Sequence, residues 1–328
     1  MTVARINLAL GLALAVALIV ALTLGEVGLG WVQYGQAFRE PGSGPGLILW
    51  QVRAPRAVCA AAVGAALGLS GALMQGLLRN PLAEPGVLGV SATASLGGAL
   101  VLVAGAGMVT GAVELAAMAG AGIGAAALVA FAARVRAPEA LILFGVALSS
   151  FAGATTALIF NLSPSPIATA EVMGWLLGSV QNRGWGDVLW VAAALVPAVF
   201  LARLSAPGLK ALSLGDETAR TLGLPLDRLR LLALIAASLA AGAAVATAGV
   251  IGFVGLVAPH LVRASVRADP GRMLLPSALA GGLILVVADL MTRITPTDQE
   301  LKLGVFTALV GAPLFALIAW RAARAWRV

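Results

Sequence analysis

The chain consists mostly of long apolar segments that are separated by short polar intervals. Apolar runs of about 18 to 22 residues recur along almost its whole length, which is the length that a helix needs to cross a bilayer. The alternating segments of about ten residues that are typical of a transmembrane β-barrel do not occur. The pattern therefore predicts an all-α polytopic membrane protein. Its ten predicted transmembrane helices lie near residues 8–24, 57–78, 87–107, 112–133, 140–160, 188–204, 231–248, 250–266, 273–291 and 303–320.

The composition agrees with a membrane protein and excludes several kinds of site. Hydrophobic residues make up 60% of the chain and charged residues 11%, with a mean hydropathy of +1.01, which excludes an ordinary soluble domain. The single cysteine, Cys59, cannot form an intrachain disulfide. The single histidine, His260, has no second imidazole with which to hold a metal ion, so no metal site is predicted.

The distribution of Lys and Arg predicts the orientation of the chain. With a cytoplasmic N-terminus, the ten segments place fifteen of the 21 basic residues in the cytoplasm and six outside, as the positive-inside rule requires. Both termini and the interval 205–230 are then cytoplasmic. The basic residues are dispersed at segment ends, so the pI of 11.1 reflects orientation and not nucleic-acid binding.

The longest polar interval of the second half, at 205–230, reads SAPGLKALSLGDETARTLGLPLDRLR. Ser213 and Asp216 fit the pattern that starts a helix, and Gly223 followed by Pro225 predicts its end. A helix of about nine residues is marginal alone in water, so it must pack on the membrane part or on a partner. Two interpretations stay open: a connector between two transmembrane helices, and a docking element through which a soluble partner moves the membrane part.

Small and polar residues within the apolar segments suggest contacts and a path. Gly64 and Gly68 have a spacing that is typical of helix–helix contacts. The octet GAALGLSG at 64–71 is echoed by GAAVATAG at 242–249, which favours two structural repeats within a single transmembrane domain of residues 1–328. We place these repeats at 1–187 and 188–328. Gln75 and Ser149 are candidates for lining a path.

Two further features concern a turn and a buried charge. Residues 79–86 cannot form a continuous helix, because Pro81 and Pro85 lack backbone donors, so they predict a rigid turn. Asp289 lies within an apolar segment, where a carboxylate marks either a transport function or a pairing with a neighbouring polar group. The sequence contains no phosphate-binding loop, no G-x-S-x-G and no H-E-x-x-H, so the chain is predicted not to be an enzyme.

With these features, the chain resembles the permease subunits of bacterial importers for vitamin B12, haem and iron-siderophores, which form the iron-complex permease family of ATP-binding-cassette (ABC) transporters. The resemblance covers nearly the whole length, and its most specific parts lie at 53–91, 212–226, 249–263 and 303–315. It implies ten transmembrane helices in the bacterial inner membrane and a homodimer around a central path. It also implies a periplasmic binding protein and two separate ATPase subunits, which would bind ATP and Mg²⁺ while this chain binds no cofactor.

The resemblance implies roles for individual residues. The coupling helices of the family sit in a groove of the ATPase, and the matching residues are Leu214, Gly215, Ala219, Leu222 and Gly223. Family arginines that meet glutamates of the binding protein correspond to Arg53, Arg56 and Arg293. The turn at 136–140 occupies the place of a cytoplasmic gate. There Pro138 and Glu139 depart from the small hydroxyl residues of the vitamin B12 permease, and Lys302 stands where many relatives have proline.

Two questions stay open at this point. An ion-coupled secondary transporter is the alternative function; it requires essential carboxylates inside the membrane, and Asp289 and Glu114 are the candidates. The cargo is also open between haem, a ferric siderophore and cobalamin, although PGVLGVS at 85–91 leans toward the haem and cobalamin relatives.

Overall fold

The structure is a computed structural model that describes residues 2–25, 27–109, 111–135, 137–163, 165–295 and 301–325. Within these ranges the chain is helical and contains no β-strand. The α-helices, in chain order, are α1 (Val3–Thr23), α2 (Trp31–Arg39), α3 (Gly44–Leu47), α4 (Ala54–Leu78), α5 (Val90–Val103), α6 (Ala112–Ala132), α7 (Pro138–Leu162), α8 (Pro166–Leu176), α9 (Trp185–Leu212), α10 (Asp216–Thr221), α11 (Leu226–Ala248), α12 (Val254–Arg263), α13 (Pro270–Ile294) and α14 (Leu303–Ala325).

Each of the ten predicted transmembrane segments coincides with a helix, which confirms the all-α class. Among the described residues, seven helical runs are long and apolar enough to cross a membrane. One of them, Gly44–Leu78, joins α3 to α4 through the π-helical turn Ile48–Arg53. Three predicted segments correspond to shorter apolar stretches among the described residues, which lie in α5, at α12 and in the Leu303–Leu317 part of α14. The number of ten crossings and the cytoplasmic placement of the termini stay predictions.

The helix α4 lies at the centre of the bundle. It is largely buried by α13, α11, α12 and α9, whereas α1 and α7 leave most of their surfaces exposed. Between residues 8 and 20 the exposed side chains of α1 are apolar, as expected of a helix that faces lipid; they include Leu8, Leu12, Val16 and Ile19.

Glycines allow α4 to touch its neighbours backbone to backbone. A Cβ added at Gly68 would lie 2.1 Å from the carbonyl oxygen of Ser277 in α13, and one at Gly64 would lie 2.3 Å from that of Gly281. Gly71 meets the backbone of α12 in the same way. The glycine pattern is therefore a helix-contact pattern, as the sequence indicated.

The two octets that predict a repeat lie in α4 and at the end of α11. Each of these helices is followed by a break, at residues 79–89 and 249–253, before a shorter helix begins. A Cβ on Gly255 would lie 3.2 Å from both Leu67 O and Pro85 Cδ, so the middle of α4 and the first break both pack against the start of α12. The division into repeats of residues 1–187 and 188–328 stays a prediction.

We expect Gly68→Ala to destabilise the protein by about 1–3 kcal/mol, because the new methyl group would overlap the backbone of α13. Thermal unfolding of the purified protein measures this. The matched control is Gly122→Ala in α6, where a Cβ would meet no atom within 4 Å. That control should leave the midpoint unchanged or raise it, since alanine favours a helix over glycine. Equal midpoints for both variants would contradict the packing argument.

Candidate functional site

The predicted coupling segment contains a short helix, α10, between α9 and α11. It has six residues, fewer than predicted, and it begins at Asp216. Ser213 does not cap it; that prediction is wrong, because α9 continues to Leu212 and Ser213 ends it, with Ser213 Oγ donating to Lys210 O at 2.6 Å. The chain reverses at Gly215 instead, whose φ of +95° lies in the region that favours glycine.

Asp216 links α10 to two transmembrane helices. Its Oδ2 accepts a hydrogen bond from Arg230 Nη2 at 2.6 Å, which holds the start of α11. Its Oδ1 lies 3.3 Å from Nη2 of Arg79, the residue directly after α4. Burial raises the pKa of the Asp216 carboxyl, but the hydrogen bond from Arg230 and the positive charges of Arg230, Arg79 and Arg220 together lower it below its ordinary value. The carboxylate therefore stays ionised and paired at neutral pH.

The five predicted coupling residues take three different positions. Ala219 is fully buried, in a small apolar cluster with Ala211 and Leu226. Gly215 and Gly223 have positive φ and bound the helix. Leu214 and Leu222, by contrast, are 59% and 54% exposed beside a charged helix. Such exposed leucines are the apolar groups that a docked partner would cover.

A buried ion-pair cluster lies where the C-terminal end of α1 meets the start of α4. Asp289 of α13, only 1% exposed, accepts from Arg56 Nη2 at 2.7 Å and from Arg293 Nη2. Arg293 also donates to Ala21 O at 3.0 Å, which ties α13 to α1. Asp289 therefore pairs with two arginines, so the structure favours the pairing interpretation of this carboxylate over a transport function.

Arg53 holds the loop between α1 and α2. It is 4% exposed, and its Nη1 donates to Leu22 O at 2.9 Å, to Thr23 O at 3.0 Å and to the Tyr34 hydroxyl at 2.9 Å. The three arginines predicted to meet a binding protein therefore lie at one end of the bundle and stabilise the chain itself. A contact of Arg53, Arg56 and Arg293 with a binding protein stays a prediction.

The candidates for a path or gate are not brought together in one place. Gln75 is 5% exposed and donates to Leu256 O at 3.3 Å, so it faces the contact between α4 and α12. Ser149 lines a cavity of about 380 Å³ between α4, α7 and α11, whereas Lys302 lines another of about 680 Å³ that α6, α8 and α9 border. Glu139 is exposed in the first turn of α7.

The predicted gate turn at 136–140 is only partly visible. Arg136 lies outside the described residues, and α7 begins at Pro138. The neighbouring residues Val135 and Ala137 line a cavity of about 380 Å³ that also reaches Asp216 of α10. A gating function of Pro138 and Glu139 stays a prediction.

The sequence did not predict the contact that Glu84 makes. Glu84 of the break after α4 accepts a hydrogen bond at Oε1 from the backbone N–H of Phe253, at 2.9 Å. The available signal was a carboxylate between Ala83 and Pro85, inside a segment that cannot be helical. Its partner is 169 residues away, and nothing in the local pattern indicates it.

Comparison with known proteins gives whole-chain matches. The sequence profile described as the FecCD transport family matches residues 13–321. The chain is 40% identical over 321 residues to the vitamin B12 import system permease protein BtuC of Salmonella typhi, covering 97% of this chain and 95% of that protein. It is 38% identical over 286 residues to the uncharacterized ABC transporter permease protein YvrB of Bacillus subtilis, covering 85% of this chain and 80% of that protein.

A solved structure has the same fold. It is a metal-chelate type ABC transporter in an inward-facing conformation, with a TM-score of 0.84 and 29% sequence identity. The alignment covers 97% of this chain and 99% of that one. The likeness therefore extends over nearly the whole chain.

We expect Asp289→Asn to destabilise the protein by about 3–5 kcal/mol, because it leaves Arg56 and Arg293 buried without their carboxylate. The control is Asp227→Asn, which changes an aspartate that is 67% exposed and pairs with Arg230 at 3.7 Å. An exposed pair contributes about 0–1 kcal/mol, so the control should unfold close to the parent. Both are compared by thermal unfolding in detergent, and equal losses would contradict the buried-cluster argument.

Proposed function

The chain belongs to the FecCD transport family, and on this basis we propose that it is the permease subunit of an ABC importer that moves cobalamin, haem or a ferric siderophore from periplasm to cytoplasm. Members of this family are transport permeases, and ATP hydrolysis takes place in a separate subunit. The observation that carries the proposal is the whole-chain likeness to a vitamin B12 permease and to a metal-chelate transporter. Of the three cargoes, this likeness favours cobalamin.

The proposed assembly contains two copies of this chain, two ATPase subunits and a periplasmic binding protein, in the bacterial inner membrane. Permeases of this kind work with ATPase and substrate-binding subunits, typically as a dimer. The chain is a multi-pass membrane protein. The exposed leucines Leu214 and Leu222 support an ATPase contact at α10, since they flank the helix and lack apolar cover in the single chain.

The geometry suggests how ATP hydrolysis would act on the membrane part. Closure of the two ATPases on ATP would displace α10. The ion pairs of Asp216 with Arg79 and Arg230 would carry this displacement to the ends of α4 and α11. The bundle would then change between inward-open and outward-open packings, as in other alternating-access transporters. Selectivity for the cargo would belong mainly to the binding protein.

The contacts count against an ion-coupled secondary transporter. Such a carrier needs an intramembrane carboxylate that binds and releases its ion. Asp289 pairs with two arginines, and Glu114 lies 3.5 Å from Arg183, which also pairs with Asp187 at 3.0 Å. Both candidate carboxylates therefore already have cationic partners within the chain.

We expect proteoliposomes that contain this chain with its ATPase subunits to accumulate radiolabelled cyanocobalamin only when ATP, Mg²⁺ and the binding protein are supplied. Haemin and a ferric hydroxamate are tested in parallel. A protonophore should leave uptake unchanged, because no ion gradient is used. Uptake without the ATPase subunits, or uptake that the protonophore abolishes, would overturn the proposed function.

We expect Leu222→Asp to weaken the association with the ATPase subunit at least about fivefold, the scale of a contact worth more than 1 kcal/mol. The new charge would have to be desolvated at an apolar contact. The control is Val109→Asp, which changes a similarly exposed residue before α6. Co-purification and binding in detergent measure the association. If both variants retain the ATPase equally, α10 is not the docking element.

A further inference from the structure

The turn that follows α4 contacts three separate parts of the transport machinery. Arg79, where it begins, pairs with Asp216, the first residue of α10. Gly86 O accepts a hydrogen bond from Ser149 Oγ of α7 at 3.4 Å. A Cβ on Gly89 would lie 2.9 Å from the side chain of Leu148, also in α7. The turn is thus packed between the coupling segment and one wall of the cavity that Ser149 lines.

The third contact is with Phe253, the residue directly before α12. Phe253 occupies the N-cap position with a φ of +67°, and its own side chain makes no capping hydrogen bond. Its backbone N–H is instead bound by Glu84 Oε1 at 2.9 Å. Glu84 therefore caps α12 from a distant part of the chain.

The cap is partly buried, beside a cavity. The cavity of about 380 Å³ that Ser149 lines is also lined by Glu84, Pro85 and Gly86. Its other lining residues include Val250, Ile251 and Gly252, which directly precede Phe253. Two broken segments, one after α4 and one after α11, thus meet at this hydrogen bond. Backbone groups in such breaks need a partner from elsewhere in the chain, since the regular helical bonds are missing.

We propose that Glu84 is a positioning residue for transport, which holds the 79–89 turn and the start of α12 together so that both move as one unit when α10 is displaced. The displacement would then reach α7 through Gly86 and Gly89, and α12 through Glu84. This inference rests on the proposed function, in which α10 is driven by an ATPase. The cap itself is independent of that function and is tested separately below.

The first test compares Glu84→Gln, which keeps an acceptor oxygen, with Glu84→Met, which has a similar shape and no acceptor. Both are assembled with the ATPase subunits, and the cargo transported per ATP hydrolysed is measured. We expect Glu84→Met to lower this ratio about fivefold or more, the scale of a lost capping hydrogen bond. Glu84→Gln should stay within about twofold, and Glu40→Met, an exposed control, should equal the parent.

The ratio of cargo transported to ATP hydrolysed separates a positioning function of Glu84 from a contribution to folding stability. Loss of folded complex would lower transport and hydrolysis together and leave the ratio unchanged. An unchanged ratio in Glu84→Met overturns the proposal. An equal loss in Glu84→Gln and Glu84→Met also overturns it, because the charge and not the acceptor would then matter. If the parent complex shows no ATP-driven uptake, the proposed function fails, and the cap is judged by the second test alone.

The second test follows hydrogen–deuterium exchange of the Phe253 amide in the parent complex, by mass spectrometry of overlapping peptides. We expect exchange to be slow both without nucleotide and with ATP trapped by vanadate, because the two segments move together. Exchange should accelerate about fivefold or more in Glu84→Met and not in Glu84→Gln. Fast exchange of the Phe253 amide in either state of the parent complex overturns the proposal, and so does unchanged exchange in Glu84→Met. If Glu84→Met does not fold, the two measurements on the parent complex still test the proposal.

Discussion

The backbone contact between α4 and its neighbours constrains the whole structure. Gly64 and Gly68 bring α4 against α13, and Gly71 brings it against α12, with no side chain between the helix backbones. Helices in such contact cannot slide past one another without separating, because packed interiors resist small continuous deformations. A transporter built on this core must therefore change shape at its edges, or at the places where its helices are interrupted.

The helices were predictable from the sequence because their signal is local, and the ion pairs were not. Apolar runs and glycine spacing repeat within about one helix length, and they located all ten segments and the α4 contacts. Asp289 and the arginines near it were each noticed as unusual. Their pairing joins Arg56 to a residue 233 positions away, and only the packing of α4 on α13 brings the two together.

The candidate site was likewise predictable only where its signal is local in the sequence. The presence of a short helix between α9 and α11 followed from the polarity of residues 205–230. The start of α10 did not, because α9 extends further than its apolar part and uses Ser213 at its end. Gln75 is polar within an apolar helix, which is compatible with a path or with a helix contact. The choice depends on which face of α4 meets Leu256, and the sequence does not contain that information.

Charge is arranged differently at the two ends of α4, and the difference bears on where motion can occur. At its start, Arg56 belongs to a cluster in which Asp289 and Arg293 are almost fully buried, and separating those charges would be costly. At its end, the Asp216 pairs retain more solvent contact, with side chains 30% and 37% exposed for Asp216 and Arg79. Partly exposed pairs can rearrange at little cost. The end that faces α10 is therefore the end that can respond to a partner, while the opposite end keeps α1, α4 and α13 in register.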